Sequence, residues 1–356
     1  MFKVLFNVEH VYYLPQFAPV AERMTETGIF EVYLSAGARN KAEYRRIKEF
    51  AELKGYRFID CDSEKERRKK LVKGNFDVVV FGKSAHAGKF CSRDSLAVLL
   101  YHGIGFKKCY YTDYDPRIDV RYVESNYRAK ILKSYNYRYD VVVTGFPKLD
   151  PLFCGRSGDS QTEIKEASSI LYAPTFYPSS IELFAPYLLK LQEKYTVYVK
   201  PHQFTFTLKK YRRQKELLTT LSRERNNIKL LDFDALNIVE YYRAVDVLIT
   251  DFSSTAFEFL ATEKPVVLCN FYKLRFKHRI FKGWFWNSRM DREIFKFIDF
   301  AYIANDPREA FELVYNVKNF EKEKLPLMKK RKEMFLGRVD GKASGRVVED
   351  ILRRLR

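Results

Sequence analysis

Short apolar runs alternate with stretches of helical periodicity along nearly the whole of this chain. Residues 2–7, 31–35, 57–60 and 77–81 read as strands. The segments around 16–27, 41–54 and 64–72 between them place apolar side chains at helical spacing. Apolar runs at 97–100 and 141–144 continue the pattern. Connections of this length are too long for hairpins and suit crossover helices, which predicts βαβ units in a parallel, doubly wound α/β sheet. A polar run at 155–162 (GRSGDSQT) reads as a linker, and the alternation then restarts. Strands are expected at 169–173, 196–200, 228–232, 247–250, 265–269 and 301–303, with a helix at 307–316. The pattern predicts two doubly wound, Rossmann-like domains, residues 1–155 and 156–356, facing each other across a central cleft. A last helix around 347–356 is able to pack on either domain, including back on the N-terminal one.

At 356 residues the chain is long enough for two hydrophobic cores. No apolar run reaches the roughly 18 residues of a membrane span, and no signal-peptide pattern opens the chain, so a cytoplasmic protein is expected. The five cysteines are widely spread and none has CxxC spacing, which indicates neither a disulfide framework nor a zinc site. The net charge of +19 calls for an anionic partner: nucleic acid, an acidic membrane surface or a phosphorylated substrate. Zinc-finger spacing and RNP-type aromatic motifs are missing, so nucleic acid is not the expected one. Neither GxGxxG, a Walker A loop, HExxH nor GxSxG occurs, which argues against dinucleotide oxidoreductases, P-loop enzymes, zincins and α/β-hydrolases.

Open α/β sheets bind ligands beyond the carboxyl ends of their strands, so polar groups there are the candidates. In VDVLITDFSSTAFEFL (245–260) a buried strand leads through Thr250, Asp251, Ser253 and Ser254 into a helix beginning at Thr255. Free N–H groups, up to three hydroxyls and the positive end of the helix would meet there and suit a phosphate. The plainer alternative is an ordinary serine-capped helix. Asp251 would repel phosphate, and is expected to turn away to cap backbone N–H groups or to hold a ribose hydroxyl. In VYVKPH (197–202), Pro201 holds Lys200 and His202 in a defined relation to a strand end, again suiting phosphate; a buried histidine beside a surface lysine is the alternative. Thr175 ends the strand ILYAP-T in the same way. In the first half His102 ends a strand and Gly103 follows, an arrangement fit for a general base with room for substrate. Lys107 and His10 are candidates for the same acceptor side. The aromatic and basic stretch CNFYKLRFKHRIFKGWFWN (269–287) reads either as an interfacial membrane segment or as a buried aromatic cluster beneath a basic surface.

Six pieces in order resemble the CDP-glycerol glycerophosphotransferase family, the teichoic-acid primases and polymerases. They are YHG (101–103), VVVTGFPKLD (141–150), ILYAPTF (170–176), VKPH (199–202), VLITDFSSTAFEFL with KPVVL (247–268) and DGKASGRVVEDI (340–351). The resemblance implies a GT-B fold and transfer of glycerol phosphate, or another alditol phosphate, from a CDP-activated donor to an acceptor hydroxyl, with release of CMP. By that analogy His102 takes the acceptor proton. His202 holds or protonates the donor pyrophosphate, with Lys200, Thr175, Thr250, Asp251, Ser253, Ser254 and Thr255 around it. The implied acceptor is a lipid-linked saccharide or polyol-phosphate polymer, reached from the inner membrane face by a protein held on anionic lipid. The CDP-alditol is a co-substrate, and neither cofactor nor protein-bound metal is expected, because the matched pieces hold no carboxylate cluster. A GT-B glycosyltransferase or epimerase using a sugar nucleotide is the competing expectation.

Overall fold

The computed structural model describes residues 1–153, 169–315 and 320–356. The polar run at 155–162 and the expected boundary at 155/156 lie outside the described residues. The chain forms two compact units. The first comprises Met1–Gly103, Cys109–Cys154 and Gly337–Arg356; the second comprises Ile104–Lys108 and Gly155–Leu336.

The first unit is built on a seven-stranded sheet, β1 (Phe2–Val8), β2 (Phe30–Ala36), β3 (Arg57–Phe58), β4 (Val78–Phe81), β5 (Leu96–Leu100), β6 (Val120–Val123) and β7 (Asp140–Val143). Its order is β3-β2-β1-β4-β5-β6-β7, and every pairing is parallel. Buried apolar side chains fill both faces of the central strands: β4 is VVVF and β5 LAVLL, near-continuous runs of the kind that crossover helices cover. Sequence reading missed β6. Its sequence is VRYV, and the central Arg121 breaks the apolar signal although only 1% of the residue is exposed. The guanidinium donates to Tyr110 O (2.5 Å) and Tyr139 Oη (3.2 Å) and lies over the Tyr101 ring, so a charged residue sits inside the sheet layer.

The second unit carries six parallel strands, β8 (Ser169–Ala173), β9 (Thr196–Val199), β10 (Ile228–Leu230), β11 (Val247–Thr250), β12 (Val266–Cys269) and β13 (Tyr302–Ala304), in the order β10-β9-β8-β11-β12-β13. The sheet order reverses between β1 and β4 in one unit and between β8 and β11 in the other. A crevice opens at such switch points, and ligands of this architecture sit there.

Two chain segments depart from a simple division at residue 155. Ile104–Lys108 belongs to the second unit, where Phe106 is buried against Phe252, Phe257 and Phe295 (ring centroids 5.5, 5.0 and 5.3 Å). Backbone bonds Lys108 N–Arg289 O and Asp291 N–Phe106 O, 2.9 and 2.8 Å, lace it in. Gly105 makes the turn at φ +101°, and a Cβ there would lie 2.5 Å from the Phe257 ring.

The C-terminal helix Ala343–Leu355 belongs to the first unit. Its N-terminus is capped from afar: Asp150 accepts from Ala343 N (3.0 Å) and Ser344 N (2.7 Å). Arg346 pairs with Asp340 and donates to Thr144 O (2.6 Å), and Tyr122 Oη donates to Asp350 (2.8 Å). The motif pieces at 141–150 and 340–351 therefore meet, and hold the helix to the sheet. Replacing Asp150 by Ala orphans two helix N–H groups and is expected to cost about 1–2 kcal/mol. Hydrogen exchange of residues 343–350 should accelerate before the rest of the unit opens, and unchanged protection there would refute the cap.

Candidate functional site

In the first unit, β1 delivers His10, Tyr12 and Tyr13, β4 delivers Gly82, and β5 delivers His102, all at carboxyl ends around the switch point. His102 is half-buried in an aromatic enclosure. Tyr13 and Tyr101 stack on its ring (4.8 and 4.9 Å between centroids), while Tyr12 meets it edge-on at 5.0 Å. Its Nδ1 lies 2.8 Å from Gly82 O. A carbonyl only accepts, so Nδ1 carries the proton, and the neutral ring holds its lone pair on Nε2. That is the tautomer a general base needs. Gly82 is required by close approach, since a Cβ there would fall 2.5 Å from the Tyr13 ring.

His10 is tied to the same cluster. Its Nδ1 lies 3.1 Å from Glu43 Oε2, which also accepts from Val11 N at 3.0 Å, and its ring stacks on Tyr12 at 5.0 Å. Desolvation raises the phenols of Tyr12, Tyr13 and Tyr101 well above their ordinary range, so these rings remain protonated walls rather than bases. Gly103, next to His102, is the last residue before the chain passes to the second unit. Lys107 does not stay with them. It belongs to the second unit, with its ammonium 5.9 Å from the centroid of Phe176, because Phe106 and the ladder to Arg289–Asp291 anchor its segment there. Lys107 thus stands beside the ring that flanks His202.

In the second unit, Thr175 follows β8 and Asp251 follows β11, at the switch point, with Lys200 and His202 just beyond β9. His202 is half-buried between Phe176 and Phe204 (4.6 and 4.8 Å), and its Nδ1 accepts from Phe204 N at 3.1 Å. A backbone N–H only donates, so here Nδ1 is bare and the neutral ring carries its proton on Nε2. The two histidines thus hold opposite tautomers, one suited to accept a proton and one to donate a hydrogen bond. Lys200 is buried, not a surface lysine, and donates to Asp232 O at 3.1 Å.

Asp251 is 1% exposed and lies inside the loop it organises. It accepts from Thr175 N (2.7 Å), Ser180 N (3.0 Å) and Ser180 Oγ (3.0 Å), and burial pushes its carboxyl up to about 7. Of the two arrangements considered for it, backbone capping is the one observed. The helix expected over 255–260 is a single α-turn, Thr255–Glu258, continuing as a 3-10 helix, Phe259–Thr262. Its macrodipole is correspondingly small. Ser254 occupies the N-cap position without a side-chain capping bond. Instead Thr255 Oγ1 donates to Ser253 Oγ at 2.7 Å, and the buried Thr250 hydroxyl donates to Ala173 O at 2.7 Å. Thr250 and Asp251 build the turn, whereas Ser253 and Ser254 are half-buried at its mouth.

Sequence reasoning missed Tyr12, Tyr13, Glu43, Gly82 and Phe176. The Tyr12–Tyr13 pair directly after the first strand was the only local signal. The others matter through strands that are neighbours in space alone.

A family model described as CDP-glycerol:poly(glycerophosphate) glycerophosphotransferase matches residues 106–353, most of the chain. The chain belongs to this family. The match takes in Thr175, Lys200, His202 and the turn at 250–255, and begins after His102. No curated protein sequence matches the chain. Among solved structures, the wall teichoic acid polymerase TagF is similar with a TM-score of 0.68 at 15% identity, covering 99% of this chain and 88% of that one. MnaA of S. aureus, solved with UDP, gives 0.64 at 15% identity over 100% and 97%. A UDP-N-acetylglucosamine 2-epimerase gives 0.60 at 13% identity over 99% and 96%. These likenesses establish the GT-B fold for this glycerophosphotransferase-family member. Among the described residues no helix is long and apolar enough to cross a membrane.

Proposed function

We propose that this family member transfers glycerol phosphate, or another alditol phosphate, from a CDP-activated donor to a hydroxyl of a lipid-linked saccharide or polyol-phosphate polymer, releasing CMP. The observation that carries the reading is the pair of complementary tautomers, His102 with its lone pair on Nε2 and His202 with its proton there.

In this reaction His102 Nε2 takes the acceptor hydroxyl proton as the oxygen attacks the phosphorus that bears the alditol. A new P–O bond forms, and the pyrophosphate P–O bond breaks. CMP leaves with the electron pair. His202 Nε2–H stabilises the charge that grows on the leaving phosphate, and Ser253 and Ser254 with the N–H groups of their turn hold the non-bridging oxygens. Thr250, Thr255 and Asp251 shape that turn, Thr175 is tied to it through Asp251, Lys200 supplies positive potential near the donor, and Lys107 offers a cation to the acceptor. His10 and Gly103 line the acceptor side next to His102. An acceptor on a lipid implies a protein working on the inner membrane face, and the +19 charge suits an anionic surface.

The test is CMP release from CDP-glycerol with a lipid-linked disaccharide or a glycerol-phosphate oligomer as acceptor. Acceptor-dependent CMP release is expected. The similarity to epimerase folds gives a second reading a foothold: turnover of a UDP-sugar with none of CDP-glycerol would overturn the donor assignment.

A further inference from the structure

Outside the residues 106–353 that match the family model, the first unit holds a buried carboxylate joined to the His102 enclosure. Glu43 is 3% exposed and is the third residue of the helix Lys41–Leu53. Asn40 caps that helix, its side chain accepting from Ala42 N and Glu43 N (3.1 and 3.3 Å). A glutamate at this position ordinarily returns to its own cap. Here only Oε1 does so, taking the Asn40 side-chain amide at 2.9 Å. Oε2 crosses instead to the loop after β1, where it meets Val11 N and His10 Nδ1 at 3.0 and 3.1 Å.

The Val11 bond alone ties the helix to the loop and satisfies the buried oxygen. The contact with His10 adds an orientation. Oε2 accepts from the Val11 N–H and likewise from Nδ1–H, so the neutral imidazole keeps its lone pair on Nε2. Stacking on Tyr12, with 10° between the planes, and the edge of Tyr13 at 5.9 Å fix the plane of the ring. The His10 side chain is nonetheless 37% exposed. Glu43 therefore does for His10 what Gly82 O does for His102. Each imidazole centroid lies 5.0 Å from that of Tyr12, so the two rings are within 10 Å of each other. Two hydrogen bonds of about 2.8 Å leave only a few ångströms of that span for whatever lies between them.

We infer that Glu43 positions His10 to bind a second acceptor hydroxyl, on the carbon next to the one whose hydroxyl His102 deprotonates. The two imidazoles together read a vicinal diol. A hydroxyl can donate to a bare Nε2, whereas an ionised phosphate oxygen only accepts and has nothing to give it. His10 thus selects for the hydroxyls of the acceptor and not for its phosphate. A glycerol end and a sugar ring both present such a diol. The role of His102 in this account rests on the proposed transferase reading; the hydroxyl contact at His10 does not require turnover.

Titration calorimetry tests it, comparing a glycerol-phosphate oligomer with the same oligomer ended in 3-hydroxypropyl phosphate, which keeps the primary hydroxyl and lacks its neighbour. A lipid-linked disaccharide and its counterpart lacking one of two adjacent hydroxyls form a second pair, and the pair that is discriminated names the source of the diol. Wild type is expected to bind the diol member of one pair about tenfold more tightly, the worth of one hydrogen bond. His10→Ala and Glu43→Ala should each bring that ratio close to one. Glu43→Gln, whose amide oxygen still accepts from Nδ1, should retain most of it, which a merely structural role for Glu43 does not predict. His10→Ala should keep a melting temperature near that of wild type, because Glu43 retains Val11 N and Asn40. Wild type that binds both members of each pair alike, or none of them, overturns the inference, and so does a ratio that survives His10→Ala. CMP release is read separately: its absence with every acceptor overturns the transferase reading and leaves the binding ratios to decide this one.

Discussion

Replacing His102 by Ala should lower turnover of CDP-glycerol by about 10²–10⁴-fold, the range of a lost general base. The KM for CDP-glycerol should barely move, because in the proposed mechanism the residue acts on the acceptor proton. Gly82 O holds the proton on Nδ1 and the tyrosine rings hold the imidazole plane, so the ring proposed as the base is oriented in advance. His202→Ala should behave differently, lowering turnover and also raising the KM for CDP-glycerol, since the lost Nε2–H would bind the donor phosphates both before and during transfer. Steady-state kinetics on the two variants checks the division of roles. A donor KM effect confined to His102→Ala would reverse it.

The largest effect on stability is expected at Asp251. Asp251→Ala strips acceptors from Thr175 N, Ser180 N and Ser180 Oγ in a site closed to water. Leaving such donors unpaired is expected to cost about 3 kcal/mol, a fall of roughly 6–12 °C in melting temperature. The pH dependence has a definite sign. Burial raises the folded carboxyl to about 7 from an ordinary value near 3.8, so the native state binds more protons than the unfolded chain between those values. The contribution of this group to stability therefore falls as pH rises from about 4 to about 7. The difference between wild type and Asp251→Ala should widen as the medium is acidified across that window. Thermal melts at several pH values read it directly, and a gap that narrows on acidification would contradict the burial account.

Most strands were legible because their signal is local. Runs such as VVV at 78–80 and VLIT at 247–250 declare buried parallel strands wherever they occur. The strand at 120–123 was hidden because Arg121 finds its partners on the Tyr110 carbonyl and Tyr139, groups that only the folded sheet supplies. The motif pieces at 141–150 and 340–351 carried the family resemblance in sequence, and in the fold they are each other's partners, Asp150 capping the final helix. Lys107 was assigned by its nearness in sequence to His102. Phe106, buried among three other aromatic rings, carries it to the second unit.

By itself the sequence determined the alternation of strand and helix, hence two parallel sheets, and the positions of His102, His202 and the Thr250–Thr255 turn at strand ends. Those follow from periodicity and from residues adjacent in the chain. Tertiary structure alone decided what surrounds these groups. The Nδ1 partner of His102 is a carbonyl twenty residues away that arrives because β4 lies beside β5, and the acceptors of Asp251 serve donors on the loop after β8 because β8 lies beside β11. Strand order is set by how whole faces pack, so no local pattern could announce which backbone group would fix the proton on each ring.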